Sequence, residues 1–277
     1  MAYPVVSAPY GLKPINLIGG QVFAGATREY AIPYGYATNI FYGDIIGLTR
    51  GNVQRLSVST GTLGTVTGVF LGCSYTNPST KQKQFAQYWP AGTLAGDAVA
   101  IVCDDPDTVF KAVVCSATTA VASGARAMIG QNLAMINNTG NVNTGDSANA
   151  LLAPSATPAT TDALPVRVLG LVPDTVVTLG TAVYSSISTA TVTTAAGLPY
   201  ALPVGTDVGS LAANGQYIPS GSFVATAAAA GATSFVLNQA PITAFAASST
   251  IVFAQYPELL VKLNFGQHQY YAATSIA

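Results

Sequence analysis

Two apolar runs far apart in the chain, Leu164-Pro-Val-Arg-Val-Leu-Gly-Leu171 and Glu258-Leu-Leu-Val-Lys-Leu-Asn-Phe265, constrain its fold more than any other feature. Each sets one basic residue, Arg167 or Lys262, among branched apolar side chains. That is the pattern of a strand with one face buried and the other turned to solvent or a partner. The first run ends at Val172-Pro173-Asp174, a turn signal, and the second begins after Tyr256-Pro257, where a strand tolerates proline. Between Arg167 and Lys262 there is no Lys or Arg, and Asp207 is the only acid between Asp174 and Glu258. The two runs are expected to be neighbouring strands of one sheet. Residues 21–175 and 256–277 then form a parent domain into which 176–255 is inserted.

The remaining composition points the same way. Gly, Ala, Thr, Ser and Val dominate, charged residues make up 8% of the chain and apolar ones 50%, so an all-β fold with many turns is expected. Its 277 residues suffice for one large or two ordinary domains. A net charge of −1 gives no electrostatic footprint for nucleic acid or an anionic membrane. So little charge suits a surface that is covered by a partner. Met1-Ala-Tyr-Pro-Val-Val lacks the basic and apolar regions of a signal peptide, and no stretch reaches membrane-spanning length. Cys73, Cys103 and Cys115 sit inside apolar runs without paired metal-ligand spacing and are expected to be buried reduced thiols, made in a cytoplasm.

Along the chain, Pro4, Pro9 and Pro14 deny residues 1–20 a helix or a central strand, so an extended arm lying on a neighbouring subunit is expected. Strands follow at short intervals from Gln21, with Thr49-Arg-Gly-Asn52 as a hairpin connection. Glycines within these strands predict bulges, strong curvature or a small closed barrel, completing a barrel or sandwich-like parent. Ala98–Cys103, the turn Asp104-Asp-Pro-Asp107 and Thr108–Cys115 read as a second hairpin. Ala117–Met135 is the best helix candidate although Gly124 and Gly130 interrupt it. Asn137–Asn149 is a loop by composition, and Ala153–Asp162 a connector. The insertion offers strands at Thr175–Leu179, Ala182–Ile187, Ser222–Thr226, Ser234–Asn238 and Thr250–Phe253, uncharged segments that need a barrel, a sheet or a partner to cover their edges.

Chemistry is sparse. The single histidine, His268, has no nucleophile elbow to serve. Asp104, Asp105 and Asp107 could offer oxygens to Ca²⁺, but their spacing is not that of an EF-hand, and a turn capping its own amides uses the same residues. Leu17-Ile-Gly-Gly is no phosphate loop, because it lacks the Lys-Ser/Thr pair. Tyr30, Tyr34, Tyr36 and Tyr42 suit either a carbohydrate or protein platform or core packing. No catalytic, cofactor-binding or metal-ligating residue is therefore expected.

Several short motifs carry a family resemblance. Ala8-Pro-Tyr-Gly-Leu-Lys-Pro-Ile, Gly130-Gln-Asn-Leu-Ala, Asn143-Thr-Gly-Asp-Ser, the Leu164 run and Leu260-Val-Lys-Leu-Asn-Phe-Gly-Gln-His-Gln-Tyr resemble segments of tailed-phage capsid decoration (cement) proteins. The resemblance covers roughly 1–175 and 256–277, while Gly215–Asn238 is similar to small β-modules of phage head and tail proteins. It implies a virion protein, synthesised in the host bacterial cytoplasm, that binds the major capsid protein on the assembled shell. It also implies association with itself as a trimer or dimer and no catalysis, while the near-zero net charge leads to no expected binding of nucleic acid or membrane. A tail or head-fibre component that binds a host receptor through the insertion is the alternative.

Overall fold

Short runs of β-branched and aromatic residues, separated by glycine and asparagine turns, fold almost entirely into sheets. The structure, a computed structural model, describes residues 6–57, 66–116, 118–122, 124, 126–152, 164–172, 177–179, 190–194, 197–198, 201–202, 204–211, 218–219, 221–240 and 250–264. The Ala182–Ile187 strand, the Ala153–Asp162 connector, Pro4 and His268 lie outside these residues.

After β1 (Lys13–Leu17) come β2 (Arg28–Ala31), β3 (Ile45–Thr49), β4 (Asn52–Arg55), β5 (Val66–Thr76), β6 (Lys83–Ala86) and β7 (Val99–Cys103). The last six form one sheet in the order β3-β4-β2-β7-β5-β6, and β5 also pairs with β3, which closes five strands into a small barrel. Closure needs the length of β5, whose 11 residues bond β3 near their start, β7 in the middle and β6 at their end. It also needs the β5 glycines. A Cβ on Gly68 would lie 2.4 Å from the Cys103 carbonyl oxygen, and Gly72 has φ +150° at a bulge between Phe70 and Gly72. The Arg50-Gly51 turn joins β3 to β4 as expected, with both residues at positive φ (49° and 80°), the geometry that matches strand twist.

Barrel strands β3, β5 and β7 alternate between two cores, which is why they read as continuous apolar runs, unlike the polar β2 and β4. Ile46, Phe70 and Val102 point inward onto Trp89, whereas the adjacent Ile45, Val69 and Cys103 point outward. The outward set packs on a second, seven-stranded sheet built from β1, β8 (Thr108–Cys115), β9 (Asn132–Leu133), β10 (Met135–Ile136), β11 (Ala150–Leu152), β12 (Val166–Leu171) and β19 (Glu258–Leu263). Its order is β10-β11-β8-β19-β12-β9, with β1 along β8. The runs around Leu164 and Glu258 are thus antiparallel partners, and their two basic residues face each other, Arg167 opposite Lys262. Arg167 is exposed and Lys262 reaches Asp107 at 3.7 Å, so the like charges have separate outlets.

The chain between them forms β13 (Val177–Leu179), β14 (Thr191–Thr193), β15 (Asp207–Leu211), β16 (Val224–Thr226), β17 (Ser234–Leu237) and β18 (Thr250–Gln255). They make two three-stranded sheets, β13-β18-β15 and β14-β17-β16. Val192, Leu202, Val224, Phe235 and Leu237 belong to a core separate from the other clusters.

Three expectations require correction. The Asp104–Asp107 turn does not close a hairpin. Both edges of β7 are taken by β2 and β5, so the chain leaves the barrel here and enters β8 of the other sheet. Nor do the described residues of 117–135 form an α-helix; before β9 they hold a 3-10 turn, Arg126–Met128. Gly124 bridges to Tyr256 where a Cβ would strike the Leu259 side chain at 2.5 Å, and Gly130 sits at φ +84°, so packing against β19 replaces helical bonding. The segment 1–20, expected as an arm outside the core, contributes a fully buried Leu12 and strand β1. Pro14 is accommodated because β1 pairs with β8 alone at that position and shifts register between Pro14 and Asn16.

Candidate interaction surface

The most elaborate polar cluster is structural. Gly43-Asp44 interrupts an apolar stretch, and the barrel buries the Asp44 carboxylate completely. Burial pushes its pKa up; the Arg55 guanidinium, the Ser147 hydroxyl and the Phe41 N–H pull it down. Arg55 Nε lies 2.8 Å away, Ser147 donates at 2.6 Å, Asn149 Nδ2 at 3.0 Å and Phe41 N–H at 2.9 Å. Arg55 also donates to the Asn138 carbonyl at 2.7 Å. The cage fastens the 138–149 loop to β4 of the barrel, and each of these partners donates to the carboxylate.

A second cluster ties the start of the chain to β19. Tyr10 donates its hydroxyl to the buried Glu258, which Lys111 meets at 3.3 Å. Burial, then the bond to Glu258, pushes the Tyr10 hydroxyl far above the usual phenol range. Lys13 stands 4.6 Å over the Tyr10 ring.

The sequence-predicted candidates disperse. Asp104 is held by the Tyr30 hydroxyl (2.7 Å) and Arg28 (3.4 Å), Asp105 accepts from the Asp107 N–H (2.8 Å), and Asp107 pairs with Lys262. Each carboxylate of the turn is engaged separately. Tyr36 accepts from the Arg55 N–H, Tyr42 is half-buried and Tyr34 alone is largely exposed, so the four tyrosines form no shared platform. All three cysteines are buried free thiols, with Cys73 pushed up to about 12 and Cys115 to about 11 by burial.

Large apolar side chains remain exposed at several places, Tyr34, Leu94 and Val142 among them, and the two most exposed, Phe85 and Val22, mark a groove and a turn. The turn after β1, with Gly19 and Gly20 both at positive φ, projects Ile18 and Val22, which are 48% and 78% exposed. On the outer wall of the barrel, Phe85 of the edge strand β6 is 79% exposed. It lines an open groove of about 450 Å³ with Leu71 and Ile101. Lys13 and Asp146, 3.8 Å apart, form its charged rim. Neither place stood out in the sequence, because strand alternation alone does not say which apolar face a neighbouring sheet will cover; the run free of charge from Pro14 to Thr27 was the available signal. No protein-family model, curated protein or solved structure matches the chain.

Proposed function

We propose that this chain is a virion structural protein that binds the outside of an assembled phage capsid and stabilises it without catalysis. Its partners are the major capsid protein and further copies of itself, as a trimer or dimer, and its location is the capsid surface. The observation that carries this reading is large uncovered apolar side chains on a nearly uncharged protein, Phe85 and Val22 foremost. Such surface gains free energy only when another protein covers it. The polar clusters, by contrast, are closed on themselves.

Shell contacts of this kind rest on apolar area and backbone hydrogen bonds, with little counterion release. Purified protein added to bare capsids should bind as well in high salt as in low salt. Capsids that carry it should retain their DNA to a higher temperature than stripped capsids, because many weak bridges act together. Equal DNA-release temperatures for the two particles would count against the reading. The alternative, a tail or head-fibre component binding a receptor, draws support from the separate core of the inserted segment. Copy number decides between them: hundreds per virion for a shell protein, far fewer for a fibre.

A further inference from the structure

Of the exposed apolar places, one is a projecting turn and another a groove. We infer that the Leu17–Val22 turn of one copy seats in the groove beside Phe85 of a second copy, making a head-to-tail contact. This rests on the self-association included in the reading above and specifies the surfaces that make it.

Three observations carry it. The first is the build of the turn. Leu17 N–H donates to the Gln21 carbonyl at 2.7 Å, Gly20 N–H to the Leu17 carbonyl at 3.1 Å, and Ile18 N–H to the Asp107 carbonyl at 2.9 Å. It is therefore a fixed knob on the end of β1, with Ile18 and Val22 outward and open space around both glycines. A preformed knob loses little conformational entropy on docking.

The second is charge. No charged residue occurs between Lys13 and Arg28. The groove's apolar wall is made by Phe85, Leu71 and Ile101, and its Lys13 and Asp146 already neutralise each other. A neutral knob therefore enters without stranding a charge away from water, whereas a charged segment would.

The third is placement. Lys13, on the groove rim, and Leu17, at the base of the knob, are the two ends of β1, separated by about 13 Å of extended strand. Strand β1 is held along β8 from Lys13 to Leu17, so the knob cannot turn back into its own groove. Only another molecule can bring the two together. Because knob and groove are different surfaces, the contact is heterologous and propagates to a ring or a line. Its area is small, so it is weak between free molecules and becomes strong where copies are held side by side.

Disulfide trapping tests it without any capsid. All three native cysteines are buried, so single exposed thiols can be placed at Val22→Cys and Phe85→Cys, positions whose exposure leaves the fold undisturbed. The two purified variants are mixed at high concentration and oxidised. Val22–Phe85 heterodimer as the main product, with little homodimer from either variant alone, is the expected result. It should disappear when the second thiol is carried on a chain that also has Ile101→Lys, with unchanged circular dichroism confirming that this chain is folded. Homodimers of Phe85→Cys as the main product would show an isologous pairing of the β6 edge and overturn the proposal, as would the absence of any cross-link. Neither outcome depends on capsid binding, which stands or falls separately on the particle experiment.

Discussion

Asp44 shows what one buried charge demands of its neighbours. With both oxygens filled by donors from Arg55, Ser147, Asn149 and the Phe41 backbone, the carboxylate is tolerable only as part of a complete set. Asp44→Ala should destabilise the protein by about 3–5 kcal/mol, because it leaves the Arg55 guanidinium buried without its counter-charge. The midpoint of chemical denaturation measures this, and a loss below about 1 kcal/mol would show that water reaches Arg55 instead. Asp97 is the surface contrast. Its pKa is held down at about 2 by the Thr76 N–H and then the Thr76 hydroxyl, with Lys83 adding less. Since the folded value lies below the ordinary 3.8, its contribution is in place above that pH and is lost as pH falls through about 2. Thr76→Val removes the hydroxyl donor and should move the Asp97 midpoint part of the way back up, as read by carboxyl-carbon NMR titration.

At the scale of elements, the pairing of β12 with β19 makes a strong statement about the segment between them. Leu171 faces Leu259, and the Val172 N–H donates to the Glu258 carbonyl at 3.2 Å, so the chain leaves and re-enters the sheet at adjacent points. Replacing 176–255 with a short Gly/Ser linker should leave a cooperatively unfolding protein. The polar bonds that tie Asp207 to the parent domain are modest: Arg126 meets it at 3.1 Å and the Tyr256 hydroxyl at 3.3 Å, with Arg126 largely exposed. A broad, non-cooperative thermal transition in the shortened protein would mean that the β12–β19 sheet does not close by itself. Strand β1 gives the opposite expectation. Deleting residues 2–14 removes the buried Leu12, half-dismantles β1 and leaves Glu258 without the Tyr10 hydroxyl. It should lower the melting temperature by about 5–10 °C, which scanning calorimetry resolves. An unchanged transition would return these residues to the role of a detachable arm.

Across the whole molecule, the placement of apolar side chains determines which surfaces are free to act. Barrel strands β3, β5 and β7 bury both faces in cores, one inside the barrel and one against the second sheet. The outer wall formed by β5, β6 and β7 beyond that contact is left uncovered, and the β1 turn stands clear of it. The protein thus combines a two-sheet body with exposed apolar side chains at its margins.

The sequence alone determined the all-β class, the curvature of the glycine-bearing strands, the Arg50-Gly51 hairpin and the pairing of the Leu164 and Glu258 runs. These depend on local chemistry or on period-two patterning, and a glycine that must take positive φ or make way for a carbonyl is visible in one dimension. Only the tertiary structure decided that the chain crosses between sheets at Asp104–Asp107, since a turn signal does not say whether the strands beside it already have partners. Only it decided that the described residues of 117–135 form no α-helix, because contact with β19 outweighs the weak preference of alanine. The same holds for the Asp44 cage. Its members Asp44, Arg55, Ser147 and Asn149 are separated by as many as 105 positions, and no local pattern announces a cluster assembled by packing one sheet on another.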